Sequence, residues 1–298
     1  MSTEMKAIAQ AQEKLEQLLE AARSGAIIPI RLPGQIEEIV GLVKQADEEA
    51  RKAVQEAQQT ASGPADMQEY MKEEAYFVGH AVHELRTPMT SIRGYGDMLV
   101  SMGGLNDMQK QFMDVIQTNT RRLESLMSDV SYANKLRKGT LRATLKMDMF
   151  KNIAMRVEKD MKPVAEQLQR QLEFDIPQGL PLLNTDGDLL TIALDKLVEN
   201  GLRYSAEGEG KVTVRGEADG NTLVIRVQDN GIGMSEDDLS KLGTIYFRSE
   251  HDAVRAHKGS GLGIPIAYGI VKLLGASIAV ESQVDQGTTF TIRLEGMS

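Results

Sequence analysis

The chain has 298 residues, of which 41% are hydrophobic and 26% charged, so it can form two or three folded domains and is not globally disordered. Its net charge of -9 argues against general binding to nucleic acid, because that class of protein neutralises many phosphates with lysine and arginine. The lack of cysteine excludes disulfides, thiolate metal sites and a cysteine nucleophile. No apolar run is long enough to cross a bilayer, so we expect a cytoplasmic chain without a membrane span.

Residues 1–64 carry a helical pattern with one interruption. Ala, Glu, Gln and Leu dominate up to about Thr60, and the segment SGAIIPIRLPG at 24–34 breaks the pattern before it resumes near Gln35. The pattern predicts helix, connector, helix. A coiled-coil stalk that only dimerises is one interpretation. The stretch GAIIPIRLPGQIEEIVGL also resembles a degenerate HAMP-type signal relay, and both interpretations remain open.

Residues 65–138 predict a helical hairpin. Two long helical patterns, at about 65–102 and 107–138, flank a turn at Gly103 and Gly104. One apolar stripe on the first helix contains Val78, Val82, Leu85, Met89 and Ile92. The matching stripe on the second helix contains Phe112, Ile116, Leu123, Leu126 and Val130. A single hairpin would leave much of this surface in water, so we expect two copies of the chain to pair in a dimeric four-helix bundle.

Beyond Gly139 the apolar period changes from helical to strand-like, which marks a second domain at 139–298. Strand patterns occur in TLRATLKMDM, KVTVRGEA, NTLVIRVQD, SIAVES and TTFTIRL. Helical patterns occupy roughly 151–171, 188–203 and 261–274. We therefore expect an α/β sandwich in which helices cover one face of a mixed sheet.

A histidine on the exposed side of the first hairpin helix is the main candidate nucleophile. At about 100° per residue, His83 and Thr87 point away from the apolar stripe and towards solvent. A neutral imidazole is a competent nitrogen nucleophile near neutral pH, and the adjacent Glu84 can accept its proton. Pro88 removes a backbone N–H, so we expect a kink beside this group. His80 shares the exposed side but lacks an adjacent carboxylate, which makes it the weaker candidate.

The string His-Glu-Leu-Arg-Thr-Pro, which begins at His83, resembles the H-box of the histidine kinase family. The resemblance implies that His83 is phosphorylated, that Glu84 assists, and that Thr87 supports removal of phosphate from a partner. An exposed histidine without this string would more often be a plain surface residue. The assignment of His83 therefore depends on the whole string.

Four later strings fit one nucleotide pocket: LDKLVENGLRYS, VQDNGIGM, HKGSGLGIPIAYGIVKLL and DQGTTFTIRL. Taken singly, they are typical of an amphipathic helix, a turn, a glycine-rich approach to a helix N-terminus, and a turn before a strand. In this order and spacing they resemble the N, G1, G2 and G3 boxes of the Bergerat-type ATP-binding domain, which histidine kinases share with Hsp90, gyrase and MutL. The H-box ahead of them singles out the kinase branch.

The resemblance implies roles for individual residues, with ATP and Mg2+ as cofactors. Asp229 should accept a hydrogen bond from the adenine amino group, and Asn200 should hold Mg2+ through its amide oxygen. Arg203 takes the place of the usual lysine near the phosphates, and Tyr204 should line the adenine pocket. The other implied nucleotide-binding residues are Gly231, Gly233, Gly259, Gly261, Leu262, Gly263 and Thr288.

A lid over the nucleotide is expected at about 242–258. Its string YFR, which ends at Arg248, matches the second half of the family's F-box, and Arg248 is a candidate for contact with the γ-phosphate. The chain departs from the family pattern at two positions. Lys196 stands where most relatives have an asparagine, so a cation there could contact phosphate or weaken the metal site. Gly243 replaces the first aromatic residue of the F-box.

These features predict an ATP-dependent protein-histidine kinase that works as a homodimer. His83 would attack the γ-phosphorus of ATP held by the C-terminal domain, and the phosphoryl group would pass to an aspartate of a response-regulator receiver domain. Phosphatase action on the same regulator is also expected. One alternative is a catalytically inactive nucleotide-binding scaffold for a regulator. An ATP-driven clamp in the manner of Hsp90 or MutL is disfavoured by the H-box.

Overall fold

A computed structural model describes residues 13, 14, 17, 82, 85–87, 89–206, 208–256 and 259–297. The chain divides into two compact units, with the boundary between Asn134 and Lys135. Within the described ranges no helix is both long and apolar enough to cross a membrane. The predicted helix, connector, helix at the N-terminus lies outside these ranges, except that residues 13, 14 and 17 are helical.

The first unit contains a helical hairpin. Helix α1 covers the described residues 82, 85–87 and 89–102, and helix α2 is Asp107–Arg137. Gly103 and Gly104 have φ angles of 70° and 78°, so the chain turns in a backbone conformation that favours glycine. The side chains of Asn106 and Gln109 each accept a hydrogen bond from the other's backbone N–H at 2.9 Å, which caps the start of α2.

The hairpin core confirms the predicted stripe on α1 and corrects part of the stripe on α2. Its buried members are Val82, Met89, Met113, Ile116 and Met127, and the partly buried residues packed on them are Leu85, Ile92, Leu105, Leu123 and Val130. Phe112 and Leu126, predicted to lie in the stripe, are only half-buried. Met113 and Met127, each one residue later in the sequence, are buried in the core instead. One step along a helix turns the side chain by about 100°, so adjacent residues cannot both point at the core. Val78 lies outside the described residues.

The second unit is an α/β structure with two sheets. The main sheet contains β2 (Gln171–Asp175), β4 (Lys211–Asp219), β5 (Thr222–Asp229), β6 (Ser277–Gln283) and β7 (Gly287–Glu295) in the order β2-β4-β5-β7-β6. Strand β2 is parallel to β4 and the other pairs are antiparallel, so the sheet is mixed, as predicted. A separate antiparallel pair joins β1 (Lys146–Met149) to β3 (Leu182–Thr185).

Three long helices cover the buried face of the main sheet: α3 (Phe150–Leu168), α4 (Gly187–Tyr204) and α7 (Gly263–Leu273). Helix α4 contacts α3, α7, β4 and β5, which places it in the middle of the helical layer. The opposite face of the sheet carries cross-strand ion pairs, such as Arg215 with Asp175 at 2.8 Å. Two short helices, α5 (Glu236–Lys241) and α6 (Asp252–Ala256), lie between β5 and α7 in the sequence.

The first predicted strand of this unit, at 140–149, is too long. Only Lys146–Met149 forms a strand, and it belongs to the small sheet. Helix α2 runs to Arg137, and the N–H groups of Thr140 and Leu141 donate to the carbonyl of Lys135 at 2.9 and 3.3 Å. These backbone donors satisfy the end of the helix and are not available for strand pairing.

Candidate functional site

Asp229 is the last residue of β5, and backbone from two neighbouring segments surrounds its carboxylate. Its Oδ1 accepts hydrogen bonds from the N–H groups of Gly231 at 2.8 Å and Thr288 at 3.1 Å. Its Oδ2 makes no hydrogen bond with any described residue and lies 3.4 Å from the place that a Cβ on Gly201 would take. One oxygen is therefore fixed by the protein, and the other remains an acceptor for a ligand.

Burial raises the pKa of Asp229 to about 6, and the hydrogen bonds from Gly231 and Thr288 act in the opposite direction. The carboxylate is therefore mostly ionised at neutral pH. An ionised carboxylate only accepts hydrogen bonds, so the matching ligand group is a donor such as an amino group.

Close packing beside Asp229 requires glycine at two positions. A Cβ on Gly201, in the last turns of α4, would lie 3.0 Å from Val212 Cγ2 and 3.1 Å from Asp229 Cβ. A Cβ on Gly231 would lie 2.8 Å from the carbonyl oxygen of Tyr204, which also accepts from the N–H of Ile232 at 3.1 Å. The end of α4 and the turn after β5 are thus held together by backbone contacts.

Two further glycines hold the adjacent turn. Gly233 and Gly287 have φ angles of 63° and 90°, which favour glycine. A Cβ on Gly233 would overlap the carbonyl of Gln283, and a Cβ on Gly287 would overlap the carbonyl of Asp229. The predicted glycine Gly233 therefore positions this end of the site by allowing the strand ends to meet.

The polar residues of α4 lie on one face of the helix. Lys196, Asn200 and Arg203 are spaced by four and three residues, which places them on neighbouring turns of the same side. Arg203 forms an ion pair with Glu199 within the helix. Lys196 reaches towards α7, because its Cδ and Cβ lie 3.8 and 3.9 Å from the position of a Cβ on Gly263.

Residues of the predicted lid meet α4 at Gly259. A Cβ there would lie 3.7 Å from Arg248 Nε and 3.8 Å from the hydroxyl oxygen of Tyr204. Arg248 also donates from Nη2 to the carbonyl of Val254 at 2.6 Å. Arg248 of the predicted lid and Tyr204 at the end of α4 thus both border Gly259.

The lid backbone explains the departure at Gly243. This residue has φ 88°, a conformation that an aromatic residue adopts only under strain. The ring carbon Cδ1 of Tyr268, on α7, lies 3.7 Å from the position of its missing Cβ. Further along, the N–H of Tyr246 donates to the carbonyl of Gly261 at 3.1 Å, which joins the lid to the glycine segment before α7.

Helix α7 begins at Gly263, the last of the predicted phosphate-binding glycines. Its N-cap residue, Leu262, makes no side-chain cap hydrogen bond, and its side chain is buried in the core. A helix start without a side-chain cap presents backbone N–H donors, which suit an anion. Leu262 therefore anchors the helix in the core, and its backbone is paired, because its N–H donates to Ser260 Oγ at 3.3 Å and its carbonyl accepts from the N–H of Ile266 at 3.0 Å.

The predicted phosphoacceptor residues are only partly described. His83 and Glu84 lie outside the described residues, as do Pro88 and the rival acceptor His80. Thr87 is exposed on α1, and its carbonyl accepts a hydrogen bond from Ser91 Oγ at 3.3 Å.

Three features of this site were not predicted from the sequence. The ion pair of Glu199 with Arg203 follows the i, i+4 spacing of helical salt bridges and was detectable from the sequence. Gly201 was also detectable, because a glycine inside a helical pattern often marks close packing. The approach of Lys196 to Gly263 joins two helices that are distant in the sequence, so no local pattern predicts it.

Two family models match the chain. The His Kinase A (phospho-acceptor) domain matches residues 73–139, and the Histidine kinase-, DNA gyrase B-, and HSP90-like ATPase matches residues 185–296. The two matches cover the hairpin and most of the α/β unit, in the order that the H-box and the four nucleotide boxes predict.

Curated proteins and solved structures resemble the same part of the chain. The chain is 26% identical over 283 residues to the autoinducer 2 sensor kinase/phosphatase LuxQ of Vibrio parahaemolyticus, a match that covers 89% of this chain and 31% of that protein. It is 30% identical over 232 residues to the sensor histidine kinase WalK of Bacillus subtilis, which covers 75% of this chain and 37% of that protein. The chain thus spans about a third of the length of these relatives. A crystal structure of full-length ShkA in complex with AMPPNP has the same fold, with a TM-score of 0.61 and 20% identity over 75% of this chain and 46% of that one.

Proposed function

Because the chain belongs to the family of two-component sensor histidine kinases, we propose that it is an ATP-dependent kinase that phosphorylates its own His83. The observation that supports this most strongly is the environment of Asp229. Two backbone N–H groups hold one carboxylate oxygen, and the other oxygen, beside Gly201, makes no hydrogen bond with any described residue. This arrangement suits the exocyclic amino group of adenine.

The proposed adenine end of the site consists of Asp229, Gly201, Gly231 and Thr288, with Tyr204 beside it. The amino group of adenine would donate to Asp229 Oδ2, while Oδ1 keeps its two backbone donors. Gly201 and Gly231 let the end of α4 and the turn after β5 pack closely around the carboxylate, which fixes its position. The residues present therefore fit an adenine nucleotide.

The proposed phosphate end consists of Asn200, Arg203, Arg248 and the start of α7. The amide oxygen of Asn200 would hold Mg2+, which when bound neutralises charge on the phosphates and orients them. Arg203 and Arg248 would supply further positive charge to the γ-phosphate. Each arginine already has a protein partner, Glu199 and the carbonyl of Val254, so nucleotide binding would exchange these contacts.

In the proposed reaction, an unprotonated ring nitrogen of His83 attacks the γ-phosphorus. An N–P bond forms while the bond from the γ-phosphorus to the bridging oxygen breaks, and ADP leaves with that electron pair. The proton on the other ring nitrogen passes to Glu84. An aspartate oxygen of a receiver domain then attacks the same phosphorus, the N–P bond breaks with its electron pair left on the ring nitrogen, and the ring regains its proton from Glu84.

We also propose that the chain removes phosphate from its receiver partner. Thr87 is exposed on α1, one helical turn after His83, where its hydroxyl can orient a water towards the phosphoaspartate. LuxQ, one of the relatives, is named a sensor kinase/phosphatase.

The hairpin surface supports a homodimer. Large apolar side chains near the hairpin turn are exposed in the single chain: Tyr95, Met98, Leu99, Val100, Met102, Met108 and Val115. Pairing of two hairpins in a four-helix bundle would bury such a surface. We place this part of the protein in the cytoplasm, where ATP and receiver domains are available.

Labelling tests the kinase directly. The full chain incubated with ATP labelled on its γ-phosphate should acquire label that is lost in acid and stable in base, and His83→Gln should abolish it. His80→Gln is the matched control and should keep the label. Nucleotide binding without transfer would instead favour the inactive scaffold.

A further inference from the structure

We propose that Lys196 binds the phosphates of the nucleotide and makes nucleotide binding by this chain only weakly dependent on magnesium. This inference rests on the proposed function and adds a residue to its phosphate end. It concerns the position where the family pattern has an asparagine.

The position of Lys196 carries the inference. The residue lies on α4 one turn before Asn200, and its Cδ and Cβ are 3.8 and 3.9 Å from the place of a Cβ on Gly263. The aliphatic part of the side chain therefore lies along the first residue of α7. Because Gly263 has no side chain, the lysine stem can pack directly against the backbone at the start of α7.

The start of α7 is an environment that attracts negative charge. Its N-cap residue contributes no side-chain hydrogen bond, Pro265 has no N–H, and the N–H of Ile266 donates to the carbonyl of Leu262, so the first turn offers the N–H groups of Gly263 and Ile264 and the positive end of the helix dipole. Asn200 and Arg203 follow on the same face of α4. Lys196 adds a positive charge to this face of α4, at a position where the family pattern has a neutral amide.

A lysine at this place can perform part of the role of a magnesium ion. Mg2+ binds a nucleotide chiefly by neutralising the phosphate oxygens. An ammonium group is a compact point charge with three donors, and it neutralises the same oxygens without coordination geometry. The chain should therefore bind the free nucleotide nearly as well as its magnesium complex.

Lys196 also has acidic neighbours on its own side of the helical layer, which define the rival explanation. Burial, followed by the charges of Asp160 and Glu199, raises the pKa of Asp195 to about 7, and the charge of Lys196 lowers it. If Lys196 serves only as a counter-ion to this acidic group, its removal would change stability and leave nucleotide affinity unaltered.

The test measures the affinity of the full chain for AMP, ADP and ATP by calorimetry, with Mg2+ and with a chelator. Wild type should bind ATP without magnesium within about 10-fold of its affinity with magnesium. Lys196→Asn should weaken magnesium-free ATP binding by roughly 10-fold or more, since a charge-assisted hydrogen bond is lost. The loss should be smaller for ADP and absent for AMP, and Lys196→Arg should retain the affinity for ATP.

Lys272→Asn is the matched control, because it removes the same charge from an exposed residue at the other end of α7. Unchanged AMP binding in Lys196→Asn shows that the variant is folded. Two results would overturn the inference but leave the proposed function intact. One is that wild type and Lys196→Asn bind ATP equally well without magnesium, and the other is that Lys196→Asn loses as much affinity for AMP as for ATP. Failure of the wild type to bind any adenine nucleotide would overturn the proposed function and the inference together.

Discussion

Backbone groups form the contacts at the Asp229 end of the proposed site, whereas long side chains form those at the Arg203 end. Asp229 is fixed by two backbone N–H donors and by glycines that allow close approach. Arg203 is paired with Glu199, and Arg248 donates to the carbonyl of Val254.

The contacts of the proposed adenine end are therefore in place without a ligand. The phosphate end must exchange existing contacts for contacts with the nucleotide. Substitutions at the adenine end should therefore act strongly on binding or folding, and substitutions at the phosphate end should act by graded amounts.

Asp229→Asn should have the largest effect. The amide would keep one acceptor for the backbone donors of Gly231 and Thr288 and would direct its NH2 group at the adenine amino group, so two donors would face each other. We expect ATP affinity, measured by calorimetry, to fall by roughly 100-fold or more. Asp285→Asn, at an exposed turn with φ 60°, should bind ATP normally. ATP binding by Asp229→Asn within about 3-fold of wild type would refute the preformed adenine end.

Gly201→Ala should have the next largest effect, which is a loss of stability. Gly94→Ala, in the other unit, is the control variant. A Cβ at Gly201 would crowd Val212 and Asp229 at 3.0 and 3.1 Å, so we expect the free energy of unfolding to fall by about 1–3 kcal/mol. No described heavy atom lies within 4 Å of a Cβ at Gly94, on α1. Alanine there should be neutral or stabilise by up to about 1 kcal/mol, since it favours helix. Thermal unfolding of both variants decides whether close packing or helix propensity dominates at Gly201.

Asp195→Asn should change the stability of the fold in a way that depends on pH. Asp195 has a raised pKa like Asp229, but its Oδ1 has no hydrogen-bond partner in the described part of the chain. The folded state holds the proton up to about pH 7 and the unfolded state releases it near 3.8, so the carboxyl destabilises the fold increasingly as pH rises between these values. The free energy of unfolding of the variant should exceed that of wild type by on the order of 2 kcal/mol at pH 8, and by little at pH 4. A stability difference that is the same at both pH values would contradict this origin.

Glu199→Gln should have the smallest effect. It should raise the affinity for ATP, whereas Asp229→Asn should lower it. It removes the charge that holds Arg203 within α4, so the guanidinium is easier to turn towards phosphate. We expect ATP affinity to rise by about 3-fold, with AMP unchanged. Glu217→Gln breaks a similar pair with Arg226 on the sheet and should change neither affinity. A fall in ATP affinity for Glu199→Gln would show that the ion pair supports the site.

Most of the architecture could be predicted because its signals are local. The helical periods gave α2, α3, α4 and α7 within a few residues, and alternation gave β4 to β7. Strands β2 and β3, with five and four residues, are too short for a clear period and were not predicted. The segment at 140–145 alternates like a strand, but tertiary contacts decide its state: the N–H of Thr144 donates to Asp186 at 2.7 Å.

The site was predictable as a set of residues and less so as a geometry. The strings place Asp229 beside its glycines because a strand end and a tight turn are adjacent in sequence. The approach of Arg248 and Tyr204 to Gly259, and of Lys196 to Gly263, depends on how separate elements pack. Such contacts have no sequence period, so they were found only in the structure.

The position of the phosphoryl group tests the central claim most directly. The full chain should be incubated with ATP and Mg2+, cleaved at neutral or basic pH, and analysed by tandem mass spectrometry. We predict one phosphoryl group per modified chain, carried by His83. Its location on His80, or on no histidine of the hairpin, would contradict the account.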